Sequence, residues 1–169
     1  MILSLIGLPG VGKSAVGSLL SGLLRKQLVD TDRLFVLKYN CPIAEYFDIH
    51  GEEAFRDAES DLLAVALQVD NIILSTGGGI ILRQDNRKLL RSQSQVVYLN
   101  SNPDLLELRL AASPHRPLFR GQNPLLKIRT LWSERSELYL QTAHFSISTD
   151  NKNAHLICEE IVDTVMAKF

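Results

Sequence analysis

The chain has 169 residues, 46% of them hydrophobic, and its 18 basic and 19 acidic residues leave a formal net charge of −1. This length fits one domain with a buried core, and the balanced charge excludes a whole-molecule field that attracts nucleic acid or an anionic membrane. The cysteines, Cys41 and Cys158, have no metal-ligand spacing and are too few for a disulfide framework. No apolar run reaches the roughly eighteen residues of a membrane span. We therefore expect a cytoplasmic protein with neither nucleic acid nor membrane as partner. Because no long exposed apolar stripe demands a protein partner, we also expect a monomer.

Short apolar runs alternate with amphipathic segments of helical length along the whole chain. Five runs rich in Ile, Val and Leu predict β-strands, at residues 2–7, 27–32, 71–79, 95–100 and 144–149. The segments between and after them predict helices, at residues 12–26, 52–69, 83–92, 102–112, 125–142 and 153–168. Apolar strands that alternate with helices indicate an α/β fold, in which helices cover both faces of a parallel sheet.

The first predicted strand leads into a phosphate-binding sequence, Gly-Leu-Pro-Gly-Val-Gly-Lys-Ser, which matches the P-loop pattern. Glycines let successive backbone N–H groups point at phosphate oxygens, and the following helix adds its positive dipole end. We expect Lys13 to reach the β- and γ-phosphates of a nucleoside triphosphate, and the Ser14 hydroxyl to bind Mg²⁺. An ordinary glycine-rich turn, the alternative, leaves the complete pattern unexplained. The expected nucleotide contacts are Gly7, Leu8, Pro9, Gly10, Val11, Gly12, Lys13, Ser14 and Ala15.

The second predicted strand ends in Leu-Val-Asp-Thr-Asp, which places Asp30 and Asp32 at its carboxyl end, where open α/β sheets keep their sites. Residues two apart on an extended chain point the same way, so both carboxylates are expected to face one cleft. One would orient the magnesium shell, and the other would accept a proton from a substrate hydroxyl. The alternative is a helix N-cap at Asp32 with Asp30 in the preceding turn. These two residues alone do not decide between the alternatives.

Residues 112–124, Ala-Ser-Pro-His-Arg-Pro-Leu-Phe-Arg-Gly-Gln-Asn-Pro, contain three prolines and a glycine and cannot continue a helix. A loop of this length in a compact chain is typically functional. We therefore predict a lid that closes over the site and excludes water.

Six sequence blocks stand in a specific order: the P-loop, Asp-Thr-Asp at 30–32, FDIHGEEAFRDAE at 47–59, STGGG at 75–79, HRPL at 115–118 and ERSELY at 134–139. In order and spacing they resemble the shikimate kinases over essentially the whole chain. The resemblance implies a P-loop, nucleoside monophosphate kinase-like fold with strand order 2-3-1-4-5, a substrate-binding segment at about 32–60 and a lid at about 112–124. It also implies transfer of the γ-phosphoryl group of ATP to the 3-hydroxyl of shikimate, in aromatic amino-acid biosynthesis.

The resemblance implies a role for each acceptor-side residue. Arg56 and Arg135 match the family arginines that bind the substrate carboxylate, for which a guanidinium fork is well suited. Glu59 lies one turn after Arg56 and is expected to hold it in position. Asp32 matches the candidate base that contacts the substrate hydroxyls, and Asp30 matches the aspartate of the magnesium shell. The remaining expected substrate contacts are the aromatic walls Phe47 and Phe55 and the backbone N–H groups of Gly77, Gly78 and Gly79.

On the nucleotide side, Arg116 matches the lid arginine that closes on the phosphates, where it would stabilise charge in transfer. Together with Lys13 and Asp32 it completes the expected catalytic set. Arg109 matches an arginine near the adenine. The sequence that follows the last strand, Thr-Asp-Asn-Lys-Asn-Ala-His at 149–155, lacks the arginine and proline that many relatives carry there.

Two other functions remain open at this point. A kinase of the same fold could act on another small alcohol, such as gluconate, or on a nucleoside monophosphate, but it is not expected to need the Arg56 and Arg135 clamp together with the triple glycine at 77–79 and Arg-Pro-Leu at 116–118. A nucleotide-binding regulatory module that has lost turnover is expected to have replaced Lys13, Asp32, Arg116 or Arg135, and all four are present.

Overall fold

The computed structural model describes residues 1–111 and 124–167, and it contains a five-stranded sheet in which every neighbouring pair of strands is parallel. The strands are β1 (Leu3–Ile6), β2 (Gln27–Asp30), β3 (Ile72–Ser75), β4 (Gln95–Asn100) and β5 (Phe145–Ser148). Their order across the sheet is β2-β3-β1-β4-β5, which confirms the expected order 2-3-1-4-5. The carboxyl ends of β2, β3 and β1 therefore lie side by side, and the three motifs that follow these strands meet at one edge.

The helices of the described residues are α1 (Lys13–Leu24), α2 (Thr31–Tyr39), α3 (Ile43–Ala66), α4 (Gln84–Gln93), α5 (Pro103–Ala111), α6 (Pro124–Thr142) and α7 (Ala154–Met166), with a short 3₁₀ helix at Ile80–Leu82. Helix α1 packs against α7, whereas α6 packs against α4 and α5. With the sheet between these groups, the three-layer α/β/α architecture is confirmed. None of the described helices has the length and apolar character needed to cross a membrane.

The region after β2 differs from the prediction. The predicted strand extended to residue 32, but β2 ends at Asp30, whose side chain caps α2 by accepting from the backbone N–H groups of Asp32 and Arg33. The expectation that Asp30 and Asp32 share one extended strand is therefore wrong. The cap that starts α2 is Asp30, and Asp32 lies in the first helical turn.

Helix α3 begins at Ile43 rather than near residue 52, because the chain is helical on both sides of a kink at Gly51. Gly51 has φ 82° and ψ 173°, a conformation that costs little only for glycine. The kink divides α3 into an amino-terminal part with Phe47 and a longer part with Arg56 and Glu59. Gly51, which follows Asp48 and His50, gives no sequence signal that the chain is helical both before and after it.

Among the described residues, two hydrophobic clusters hold these layers together. The larger surrounds the sheet and includes side chains from every strand. The smaller lies between α2 and α3, with Phe35, Phe55, Ala58 and Leu62 as its buried residues. Phe35 is 2% exposed, and its ring centroid lies 5.1 Å from that of Phe55. The smaller cluster thus fixes α2, and Asp32 with it, against the part of α3 that carries Arg56.

Replacement of the central ring of the smaller cluster tests this arrangement. We predict that Phe35→Ala lowers the free energy of unfolding by about 3 kcal/mol, because a buried aromatic ring leaves a cavity that its neighbours fill only partly. Leu37→Ala is the matched control: Leu37 lies on the same helix but is 70% exposed, and a change of no more than about 0.5 kcal/mol is expected. Equal losses in urea titrations of the two variants would contradict this role for Phe35.

Candidate active site

The P-loop connects the end of β1 at Ile6 with the start of α1 at Lys13. Gly12 is the N-cap of α1 and has φ 106°, which favours glycine. Gly7 lies so close to the end of β4 that an added side-chain carbon would be 2.5 Å from the carbonyl oxygen of Leu99. The loop is therefore packed tightly on the sheet edge, with the amino terminus of a helix behind it, as anion binding requires.

Lys13 is bound to this loop in the described structure. It is 8% exposed, and its ammonium group donates to the carbonyl oxygens of Gly7 and Leu8 at 2.7 and 2.9 Å. Ser14 follows in the first turn of α1 and is exposed. The charge and the hydroxyl that the sequence predicts for a triphosphate and its metal thus lie at one helix terminus.

Asp32, near the P-loop lysine, has a carboxyl group with an unusual pKa. The pKa of Asp32 is raised to about 6, chiefly by desolvation of the carboxyl and next by the negative charge of Asp30, whereas the positive charge of Lys13 lowers it. The influence of Lys13 on this group means that the base candidate and the P-loop lysine lie close together. Asp32 would still be mostly ionised at pH 7, so it can accept a proton.

Residues 77–79, the triple-glycine turn, lie between the P-loop and the acceptor-side residues. A side-chain carbon at Gly77 would be 2.6 Å from Asp32 Oδ1 and 3.0 Å from Glu59 Oε1. These distances are too short for ordinary contact, so no residue larger than glycine fits here without displacing both carboxylates. The turn therefore brings its backbone directly against the titratable groups of the site.

The other two glycines of the turn face different partners. An added carbon at Gly78 would be 2.9 Å from Pro9 Cδ of the P-loop, and one at Gly79 would overlap the guanidinium of Arg56. The turn is thus a shared wall between the nucleotide-side loop and the acceptor-side arginine.

Hydrogen bonds hold the backbone of this turn from two sides. The Gly77 N–H donates to Thr31 Oγ1 at 2.9 Å, and the Gly78 carbonyl oxygen accepts from Arg135 Nη1 at 3.2 Å and from the Tyr139 hydroxyl at 2.5 Å. Because the Gly77 N–H is already paired with Thr31, the N–H groups of Gly78 and Gly79 are the better candidates for a bound ligand.

Arg56 and Arg135 converge on the turn from different helices, and each is anchored through Nη1. Arg56 Nη1 donates to Glu59 Oε2 at 2.7 Å, whereas Arg135 Nη1 donates to Gly78. In the described residues, two buried side-chain nitrogens have no hydrogen-bond partner: Arg56 Nε and Arg135 Nε. Unpaired buried donors on charged groups are costly, so two of them at one wall are typical of a site for an anion.

Glu59 is 4% exposed and lies beside these arginines. Burial raises the pKa of its carboxyl, whereas the charges of Arg56 and Arg135 lower it. The expected pairing of Arg56 with Glu59 three residues later is present. Glu59, together with the more exposed Glu52 at 3.5 Å from Arg56 Nη2, thus offsets part of the positive charge, and the unpaired Nε–H groups remain for a ligand.

The remaining predicted residues lie around this centre. Arg109 donates to the hydroxyl and carbonyl oxygens of Thr149 at 2.9 and 2.6 Å, next to the turn that follows β5. Phe47 and Phe55 have ring centroids 5.6 Å apart; Phe55 belongs to the smaller hydrophobic cluster, and Phe47 packs against it. Arg116 and the predicted lid, apart from residue 124, lie outside the described residues.

The donor atoms near the P-loop fit a magnesium ion. A hydroxyl at Ser14 and a carboxylate at Asp30 are the oxygen ligands that Mg²⁺ prefers. Asp30 accepts both capping hydrogen bonds of α2 through Oδ1, and neither of these bonds uses the other carboxylate oxygen, Oδ2. In the part of the chain that the structure describes, no group of three or more His, Cys, Asp and Glu could hold a metal. Phosphate oxygens of a nucleotide and water molecules would therefore have to supply the remaining ligands.

Sequence reasoning missed Thr31 and Tyr139, whose hydroxyls bond to the triple-glycine turn. Thr31 stands between the two aspartates of Asp-Thr-Asp, and Tyr139 lies one turn after Arg135. The available signal was that both residues lie inside blocks already singled out in the sequence. A hydrogen bond between a hydroxyl and backbone far away in the chain leaves no local sequence pattern.

Comparison with known proteins identifies close similarity to one family. The family profile for shikimate kinase matches residues 9–166. The shikimate kinase of Symbiobacterium thermophilum is 38% identical over 170 residues, which cover 99% of this chain and 98% of the relative. The shikimate kinase of Dechloromonas aromatica is 38% identical and covers 98% of this chain and 88% of its own. The structure of shikimate kinase from Acinetobacter baumannii in complex with shikimate has a TM-score of 0.93 at 32% identity, covering 99% of this chain and 93% of the other.

The raised pKa of Asp32 predicts that the Asp32→Asn variant differs in stability from the unsubstituted protein by an amount that grows with pH. Between its ordinary pKa of 3.8 and the folded value of about 6, the unfolded chain has released this proton and the folded chain has not. Stability from this group therefore falls as pH rises. Because Asp32 is also solvent-exposed on one side, we expect Asp32→Asn to gain about 1 kcal/mol over the unsubstituted protein between pH 4 and pH 7. Urea titrations that give a constant difference across this range would refute the shift.

Proposed function

The chain belongs to the shikimate kinase family, and from this premise we propose which of its residues carry out the reaction. The reaction is the ATP-dependent phosphorylation of shikimate at its 3-hydroxyl, a step of aromatic amino-acid biosynthesis. Shikimate is a small cyclic carboxylic acid with three hydroxyls. Its carboxylate and its reacting hydroxyl therefore need separate recognition at opposite parts of one site.

The observation that carries the proposal is the pair of buried, unpartnered Nε atoms. Arg56 and Arg135 each use Nη1 for an internal anchor, which leaves the Nε edge of each guanidinium for the substrate. A planar carboxylate accepts hydrogen bonds from such an edge, and these bonds offset the cost of burying the guanidinium Nε–H group. A neutral alcohol offers no charge to pair with, which disfavours acceptors that lack a carboxylate at this position.

Asp32 is the proposed partner of the reacting hydroxyl. Its carboxyl lies against Gly77, next to the turn that would bind the substrate ring through the N–H groups of Gly78 and Gly79. At neutral pH it accepts the hydroxyl proton as the oxygen attacks the γ-phosphorus and the bond to the β-phosphate oxygen breaks. Because phosphoryl transfer passes through a loose transition state, Asp32 contributes as much by orienting the hydroxyl as by taking its proton.

The P-loop holds the donor. We propose that the backbone N–H groups of residues 7–15 and the Lys13 ammonium bind the phosphates, with Lys13 moving from the carbonyls of Gly7 and Leu8 to phosphate oxygens. Arg109, held at Thr149, would pack beside the base. Arg116 is proposed to neutralise charge on the transferred group, as the family resemblance implies.

The family uses ATP, which generally implies a divalent metal. We propose that this metal is Mg²⁺, held by the Ser14 hydroxyl and the nucleotide phosphates, with Asp30 in its coordination shell. When bound, the ion neutralises charge that develops on the phosphate oxygens. We also propose that residues 32–60 form the substrate-binding segment and residues 112–124 the lid of a single domain. The protein is proposed to work in the cytoplasm, because its composition and charge call for no membrane or nucleic-acid partner, and as a monomer, because its sequence has no long apolar stripe that demands a protein partner.

Release of ADP with shikimate, compared with gluconate and other alcohols, tests the activity and the carboxylate role together. We predict that shikimate stimulates ATP consumption and that Arg56→Lys raises the KM for shikimate by about 100-fold with little change in the KM for ATP. Lysine keeps a positive charge beside buried Glu59 but has no Nε edge.

A retained shikimate KM in Arg56→Lys would contradict the carboxylate role of Arg56. Stimulation by another alcohol but not by shikimate would overturn the proposed acceptor.

Gly79 offers a second test, because the lack of a side chain at this position leaves the space that the Arg56 guanidinium occupies. Gly79 has φ −94°, which alanine also adopts, so Gly79→Ala is expected to fold while displacing the flexible guanidinium. We predict a KM for shikimate raised by about tenfold or more, measured by steady-state kinetics.

Gly22→Ala is the matched control, since an added carbon there meets nothing within 4 Å. It should leave both KM values unchanged and raise stability by about 0.5–1 kcal/mol. Equal kinetics for the two variants would exclude the predicted steric coupling between Gly79 and Arg56.

A further inference from the structure

Tyr139 is a fully buried side chain whose hydroxyl is committed to one acceptor. It is 0% exposed, and the hydroxyl donates to the carbonyl oxygen of Gly78 at 2.5 Å. Gly78 lies in the triple-glycine turn, which is also the wall against which Arg56 and Asp32 are placed. A buried tyrosine hydroxyl needs a partner, but nothing in that requirement selects this carbonyl.

The ring of Tyr139 is held rigidly. It stacks on Tyr98 of β4, with ring centroids 5.0 Å apart and ring planes inclined by 16°. Burial raises the pKa of the Tyr139 hydroxyl, which therefore keeps its proton and acts as a donor at every physiological pH. The sheet thus fixes the position of a hydrogen-bond donor at the site.

Arg135 shares the acceptor with Tyr139. The two residues are four apart on α6 and therefore lie on the same face of the helix. A carbonyl oxygen has two lone pairs, and the Gly78 oxygen accepts one bond from each of these side chains. The Gly78 carbonyl that Tyr139 holds therefore orients the Arg135 guanidinium, including its unpartnered Nε.

We propose that Tyr139 is a positioning residue for substrate capture: its hydroxyl fixes the Gly78 carbonyl that anchors Arg135, so that the Nε edge of Arg135 is preorganised for the acceptor carboxylate. The proposal rests on the carboxylate role of Arg135 given above. It adds a residue that touches neither shikimate nor ATP, and whose effect passes through Arg135 alone.

Tyr139→Phe removes the hydroxyl and keeps the stacked ring. The KM for shikimate is expected to rise by about fivefold to tenfold, the factor expected for one lost hydrogen bond, while kcat and the KM for ATP change by less than about twofold. Tyr98→Phe is the matched control, because it removes a hydroxyl from the other ring of the stack, and the structure gives that ring no bond to the turn. All three constants of this control should stay within about twofold.

A double-mutant cycle with Arg135→Ala separates positioning from a general structural effect. Arg135→Ala alone should raise the KM for shikimate much more than the KM for ATP. In that background, Tyr139→Phe should have no further effect on the shikimate KM, because the guanidinium that it positions is gone. Thermal unfolding of each variant, measured in parallel, reports any loss of stability apart from these kinetic effects.

The contrary outcomes are distinct. If Arg135→Ala raises the shikimate KM but Tyr139→Phe does not, or if the two effects add fully, the positioning role is wrong and the carboxylate role survives. If Arg135→Ala leaves the shikimate KM unchanged, the carboxylate role of Arg135 fails, and the positioning role fails with it.

Discussion

A guanidinium group has five N–H donors, and burying it away from water is costly unless those donors are paired. The acceptor side of this site contains two such groups, from Arg56 and Arg135, each paired at Nη1 and unpaired at Nε. Glu59 offsets part of their charge, and the Gly78 carbonyl anchors the second group. What the protein leaves unsatisfied is the edge that a carboxylate can satisfy, so the free energy of substrate binding is linked to a cost already present in the folded chain.

The fold meets this constraint through the order of its strands. Because β3 lies between β2 and β1, the triple-glycine turn emerges between the P-loop and the Asp-Thr-Asp segment. Backbone without side chains at this point allows Asp32 and Arg56 to approach it closely, and Pro9 approaches it from the nucleotide side. The smaller cluster around Phe35 then holds α2 and α3 in place behind these residues. The proposed phosphate and acceptor sites are therefore joined by one short turn rather than by separate supports.

The sequence was sufficient for the five strands and the P-loop, because buried strands and glycine-rich phosphate loops have strong local patterns. The order of the strands was implied only by the resemblance to the shikimate kinases. The sequence was not sufficient for α2 or the amino-terminal part of α3, where one glycine interrupts the helical pattern and Asp30 serves as a cap rather than as the end of a longer strand. Arg56 and Glu59 could be paired from their spacing, but the hydroxyls of Thr31 and Tyr139 could not be assigned. Their partners, Gly77 and Gly78, are 46 and 61 residues away in the chain, and such contacts have no local signature.

The central claim is that charge on the acceptor carboxylate is what the two Nε edges recognise. Calorimetric binding of shikimate, compared with its neutral carboxamide, measures this most directly, because the two ligands share the ring and all three hydroxyls. The account predicts that the carboxamide binds at least about 100-fold more weakly, as expected when buried charged donors lose a charged acceptor. Equal affinity for the two ligands would contradict it.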